Sequence, residues 1–194
     1  VMLSASMLLI LASLGFQRSN GEILWTAELE DYKKGYSGTS SPLIVGDMVI
    51  TGIAGGEYGA RGFIDAYALT TGERLWRRYT VPSEGEKGVE TWAGDSWKTG
   101  GGPTWAIGTY DPQTDLLYWP VGNPSPDWNG DVREGDNLYT NSALALDPKT
   151  GEMEWYFQFT PHDMWDYDST NGIVVDDIVV DGKTVRVLMQ PNRN

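Results

Sequence analysis

The chain has 194 residues, 40% of them apolar, and 27 acidic against 14 basic side chains give it a formal charge of −13; it contains no cysteine. That length and apolar content can bury a core, the charge would repel a phosphate backbone and argues against nucleic acid as a partner, and the lack of thiols excludes thiolate chemistry and zinc–thiolate sites. Nine tryptophans and 24 glycines, with many Thr, Val and Tyr, favour short strands and tight turns, so an all-β fold is expected.

Residues 2–15, "MLSASMLLILASLG", form an apolar run too short for a membrane span, without a basic leader or a clean small-x-small cleavage site. It reads as the core of a secretory signal, as a strand of atypical sequence, or as a truncated or misread chain end. Residues 1–20 are accordingly an atypical N-terminal segment ahead of one domain over 21–194. No later segment is apolar for long enough to cross a membrane.

A repeat follows: "SNGEILW" ending at Trp25, "LTTGERLW" at Trp76 and "DPKTGEMEW" at Trp155, each with Gly four residues before Trp. The fuller copies, starting at Ala66 and Ala145, read as a strand, a Gly-containing turn and a second strand whose Trp packs inward. The copies are 51 and 79 residues apart. The first interval is close to one propeller blade of about 40–50 residues, and the second holds an insertion. Runs at 42–54, 114–122 and 172–190 alternate in the same way and are expected to be hairpins, with no amphipathic helix longer than two turns. The polar loops 82–103 and 123–141 are longer than ordinary connections, and such loops on a rigid β scaffold are where sites are built.

Candidate chemistry lies in and beside those loops. "GGEYGARG" (55–62) puts Glu57 in a glycine-rich turn, either as a solvated acid or where backbone can approach a ligand. "GGGPTW" (100–105) brings Trp105 behind three glycines, as a core side chain or as a stacking platform for a planar ligand. "VGNPSPDWNGD" (121–131) places Asn123 after a strand end, in an Asx-type turn or as a carbonyl metal ligand. "TPHDMWDYDST" (160–170) gathers Asp163, Asp166 and Asp168 around His162, the lone histidine, which is better explained as a structural side chain than as a catalytic one. No nucleophile-elbow serine is present, and oxygen donors from Glu57, Asn123, Asp166 and Asp168 suit a hard cation such as calcium.

Taken together, "AGGEYGARGFIDAY", "GDSWKTGGGPTW", "YWPVGNPSPDWNGDVREGDNLYTNS", "FQFTPHDMWDYD" and "QPNRN" closely resemble, in order, the pyrroloquinoline quinone (PQQ)-dependent alcohol dehydrogenases, the methanol and ethanol quinoprotein family. The resemblance implies an eight-bladed β-propeller, of which this chain would supply about three to four blades as an internal fragment. It implies that Glu57 and Asn123 ligate the metal, that the quinone stacks on Trp105, that Asp166 is the catalytic base and a metal neighbour, and that Arg193 hydrogen-bonds the quinone oxygens. Thr39 in "SGTSSP" matches a hydroxyl that binds a cofactor carboxylate, while Ala54 stands where some members carry a second one. Asp168 stands where lanthanide-dependent members have aspartate and calcium enzymes a small residue, which favours a lanthanide(III) over Ca2+; the extra carboxylate suits a trivalent ion.

The activity so implied is oxidation of primary alcohols to aldehydes by hydride transfer to metal-bound PQQ, with a c-type cytochrome as electron acceptor and a periplasmic location; a homodimer of the full-length protein is left open. The contrasting reading is a non-catalytic, Trp-docked propeller scaffold, in which Glu57, Asn123 and Asp166 would not converge. A two-carboxylate glycosidase would need an acid pair about 5–10 Å apart, and would leave Trp105 and Arg193 unexplained.

Overall fold

The computed structural model describes residues 3–7 and 10–193. Among the described residues the regular structure is all strand, apart from short 3-10 turns. Strands β1 (Leu3–Met7), β2 (Ile10–Phe16) and β3 (Ile23–Glu28) form one antiparallel sheet in chain order. A four-stranded meander follows, of β4 (Leu43–Val45), β5 (Met48–Gly52), β6 (Phe63–Ala68) and β7 (Arg74–Tyr79). A second consists of β8 (Thr109–Asp111), β9 (Leu116–Pro120), β10 (Ser142–Leu146) and β11 (Met153–Gln158). The hairpin β12 (Val174–Val180) and β13 (Lys183–Met189) begins the next sheet.

The expected blades are thus two complete meanders flanked by two incomplete sheets. The apolar N-terminal segment lies in β1 and β2, and β2 pairs through to β3 with Gly15 opposite Trp25. The run 172–190 is the hairpin expected, turning at Asp181 and Gly182, both with positive φ (50° and 76°), the twist that a two-residue hairpin loop requires. The run 114–122 is not a hairpin but one strand, β9. Its turn comes earlier, where the Asp111 carboxylate accepts from the Gln113 amide (3.1 Å) and the Thr114 hydroxyl (2.9 Å), closing the loop back to β8.

The sheets bury their apolar faces against one another. Leu29, Ile53, Phe63 and Tyr67 fill the first seam. Val45, Ile50 and Ile64 meet Leu117, Trp119, Val121, Leu144 and Leu146 at the second, the largest. Tyr118, Ala143, Ala145 and Ile173 close the third, with Val175 and Leu188 against them. Each seam is a two-sheet core of the kind that alternating strands build.

The Gly-x-x-x-Trp repeat latches two of these seams: Trp25 is buried and Trp76 packs against the core, as expected, and each indole also reaches forward onto the turn of the next sheet, whereas Trp155 is exposed. The Trp25 indole N–H donates to the Leu69 carbonyl (3.0 Å), with its ring over Gly72; Trp76 repeats this with the Pro148 carbonyl (3.0 Å) and Gly151. Gly151 has φ +72°, and a Cβ there would lie 2.6 Å from the Trp76 ring. Gly151→Ala is therefore expected to destabilise the protein by about 2–4 kcal/mol, combining left-handed strain with overpacking, seen as a fall in thermal midpoint. An unchanged midpoint would show that the latch contributes nothing.

The third seam also carries a charge clamp. Arg186 on β13 holds Asp111 on β8 through two bonds of 2.7 and 3.1 Å. The guanidinium hydrogen bonds hold the buried Asp111 carboxyl down at about 2, against the opposing effect of burial. A depressed carboxylate stabilises the fold above its unfolded value near 3.8, and that contribution is lost as pH falls towards 2. Asp111→Asn should flatten the decline of the thermal midpoint across that acid range, by on the order of 1 kcal/mol. A decline as steep as the wild type's would assign it to other carboxylates.

Candidate active site

The glycine-rich loops meet at the inner ends of the meanders because their backbones are stitched together. Gly101 bridges Arg61 on one side and Pro124 on the other. The Gly62 amide donates to Gly101 (2.7 Å), Gly102 to Asn123 (2.9 Å), Gly122 to Pro103 (2.8 Å), and Asn141 to Gly122 (2.9 Å). The Pro103 ring fills the space between the loops: a Cβ on Gly56 would lie 2.9 Å from it, and one on Gly122 3.0 Å. The turns that carry Glu57 and Asn123 are thereby packed against the same proline.

Glu57 is exposed on the 3-10 turn Gly56–Tyr58. Asn123 is the opposite, only 2% exposed. Its amide nitrogen Nδ2 donates to Asp127 (2.6 Å), while its Oδ1 is buried with no hydrogen-bond partner. Asp168 accepts from the Asn123 backbone N–H (3.2 Å), and the Trp105 side chain also helps hold its carboxyl down. This approach requires a glycine at 122, where a Cβ would collide with Asp168 Oδ1. Trp105 is 38% exposed, so it is not the core side chain that was one of its two readings. The Thr39 hydroxyl donates to the Trp105 carbonyl at 3.4 Å. Arg193 reaches the neighbouring loop by donating to the Asp166 carbonyl (2.9 Å).

The carboxylates act on one another. Burial pushes Asp166 up and Glu57 adds to it, while Arg193 opposes. Burial likewise raises Asp168, against the hydrogen bonds from Asn123 and Trp105 and with added repulsion from Asp166 and Glu57. Asp127 is pushed up to about 6 by burial first, then by Asp166 and Glu57. Ionised groups raised by their neighbours' charge are those that a cation among them would stabilise.

Three residues that the sequence reading gave no site role, or the wrong one, hold the loops in place. Asp163, one of the three aspartates of the 160–170 stretch, is fully buried and structural. It accepts from Asn141 Nδ2 (2.6 Å) and from the backbone N–H of Trp165 and Tyr167 (2.9 Å each), on either side of Asp166. Asp166 itself sits at φ 58° and Asp168 at φ 49°, in the left-handed region that side chains other than glycine rarely adopt. Arg133, also fully buried, donates to the carbonyls of Pro126 (3.0 Å), Asp127 (3.0 Å) and Asp163, joining the Asn123 loop to the Asp166 loop. His162 bonds the Gly135 carbonyl through Nδ1 (2.8 Å), consistent with a structural role.

The candidate donors are all oxygen, the chemistry of hard cations, and the buried Asn123 side-chain carbonyl is an acceptor without the donor it would ordinarily have. Among the described residues no three Asp, Glu or His side chains close around a common point by themselves. Glu57, Asp127, Asp166 and Asp168 lie within electrostatic range of one another rather than in a closed cage.

Comparison with known proteins agrees with this arrangement. The family model "PQQ: Glucose/ethanol/alcohol dehydrogenase, beta-propeller domain" matches residues 15–194. The quinoprotein alcohol dehydrogenase PedH of Pseudomonas putida is 43% identical over 91% of this chain and 32% of its own length. A lanthanide-dependent methanol dehydrogenase of Methylorubrum extorquens is 38% identical over 90% of this chain and 32% of its own. Among solved structures, a europium-containing methanol dehydrogenase superposes with a TM-score of 0.90 at 36% identity, covering 94% of this chain and 35% of that one. The chain thus spans about a third of the length of these relatives, and its four sheets are part of a β-propeller.

Proposed function

Since the chain belongs to the PQQ-dependent alcohol dehydrogenase family, we propose that it forms the metal and quinone half of a site that oxidises primary alcohols to aldehydes. The observation that carries this reading is the Asn123 Oδ1, buried without a hydrogen-bond partner on a residue that also bonds the carboxylates of Asp127 and Asp168. When bound, PQQ accepts the hydride from the carbinol carbon, and the cation polarises its carbonyl.

The chain's own residues do the rest. Glu57, Asn123 and Asp168 hold the cation through oxygen, with Asp166 adjacent. The extra carboxylate of Asp168 favours a lanthanide(III) over Ca2+ by adding charge. Trp105 offers an exposed indole face for the quinone plane. Arg193 supplies cationic donors to the quinone oxygens, and Thr39 a hydroxyl to a cofactor carboxylate. Asp166 removes the alcohol hydroxyl proton as the hydride departs. Electrons leave to a c-type cytochrome, in the periplasm.

The test is PQQ and metal binding by the complete gene product, with La3+ and Ca2+ compared and alcohol-driven dye reduction as the readout. Turnover that needs PQQ and is greater with La3+ is expected. PQQ binding with neither metal supporting turnover would leave a scaffold with a relic site.

A further inference from the structure

Asparagine is an awkward ligand, because its amide presents either an oxygen or an NH2 group to the same point and the two differ little in shape. An NH2 turned towards a cation is repelled by it. What selects the orientation is therefore part of the site. Here the Asn123 backbone is fixed by the Asp168 bond to its N–H and by its own carbonyl accepting from Gly102, but neither restrains the side-chain amide. The short restraint is Asp127, whose Oδ1 accepts from Nδ2 at 2.6 Å; the Pro124 carbonyl is a weaker partner at 3.4 Å. An ionised carboxylate can only accept, so it holds the NH2 end and leaves Oδ1 free on the other side. Asp127 is in turn pre-set by its backbone, because Arg133 binds the carbonyls of residues 126 and 127.

We propose that Asp127 is a positioning residue for metal binding, acting through Asn123: it anchors Nδ2 and so aims the buried Oδ1 at the cation. This rests on the proposed metal site. Partners that orient a first ligand are commonly worth about 10–100-fold in metal affinity.

The experiment uses Eu3+ as probe, added to the complete gene product with PQQ. Luminescence titration gives affinity, and decay in H2O against D2O gives the number of bound waters. Asp127→Ala is expected to weaken Eu3+ binding by about 10–100-fold and to add about one bound water where the Asn123 oxygen is lost. Asn123→Ala should do the same, and the double variant should match Asn123→Ala alone, because two residues acting through one ligand are not additive. A merely structural role would lower the thermal midpoint without changing the water number. Asp127→Leu, which keeps the branched shape and the number of side-chain heavy atoms while removing the acceptor, carries the same test if the alanine variant does not fold. An unchanged affinity and water number, or additive losses in the double variant, would overturn the inference and leave the metal site standing. Failure of the wild type to bind Eu3+ would overturn the proposed function and this inference together.

Discussion

Asp166→Asn is expected to leave PQQ binding at the wild-type level and to slow alcohol oxidation by about 10²–10⁴-fold, the usual contribution of a positioned general base. The amide is nearly isosteric, and the features that hold this residue do not depend on its charge. Its left-handed backbone is set by the Asp163 carboxylate gripping the amides of residues 165 and 167, and by Arg193 on its carbonyl. What is removed is the ability to take a proton, together with one negative charge beside the cation. Quinone absorbance would report binding, and dye reduction under saturating alcohol would report kcat. A rate within threefold of wild type would take Asp166 out of the mechanism, and a loss of PQQ binding would make its role structural.

Asp168→Ala is expected to cut La3+ affinity by about 10–100-fold and La3+-supported turnover with it, while Ca2+-supported turnover survives. A trivalent ion draws more stabilisation from each added carboxylate than a divalent one, so removing Asp168 penalises La3+ more. The same change releases the Asn123 N–H, so PQQ affinity should be followed in parallel. Equal losses with both metals would mean that Asp168 holds the site's shape rather than selecting its ion.

The sheets were readable from local pattern. Alternating apolar runs gave the strands, and Asp-Gly turns such as 181–182 gave the hairpin loops. The run at 114–122 misled because its turn is made by side chains of Asp111 and Thr114 rather than by glycine. The Gly-x-x-x-Trp repeat was visible, but not that Trp25 and Trp76 dock on the next sheet, since the partner turn is distant in sequence. The candidate site residues were read as members of family motifs. Asp127 and Arg133 were missed because their roles come from hydrogen bonds formed only once the loops are folded. Asp163 shows the converse: composition made it resemble its two neighbours, and complete burial gives it a different task.

The Trp latches have a consequence for how such a chain can change. Trp25 meets the Leu69 carbonyl across 44 residues and Trp76 the Pro148 carbonyl across 72, yet both bonds are 3.0 Å and both rings lie over a glycine. The additional chain runs out into loops without disturbing the joint between sheets. Loop length and loop chemistry are therefore free to drift while the spacing of the sheets stays constant, so new specificities can be grafted onto an old frame without redesigning its joinery.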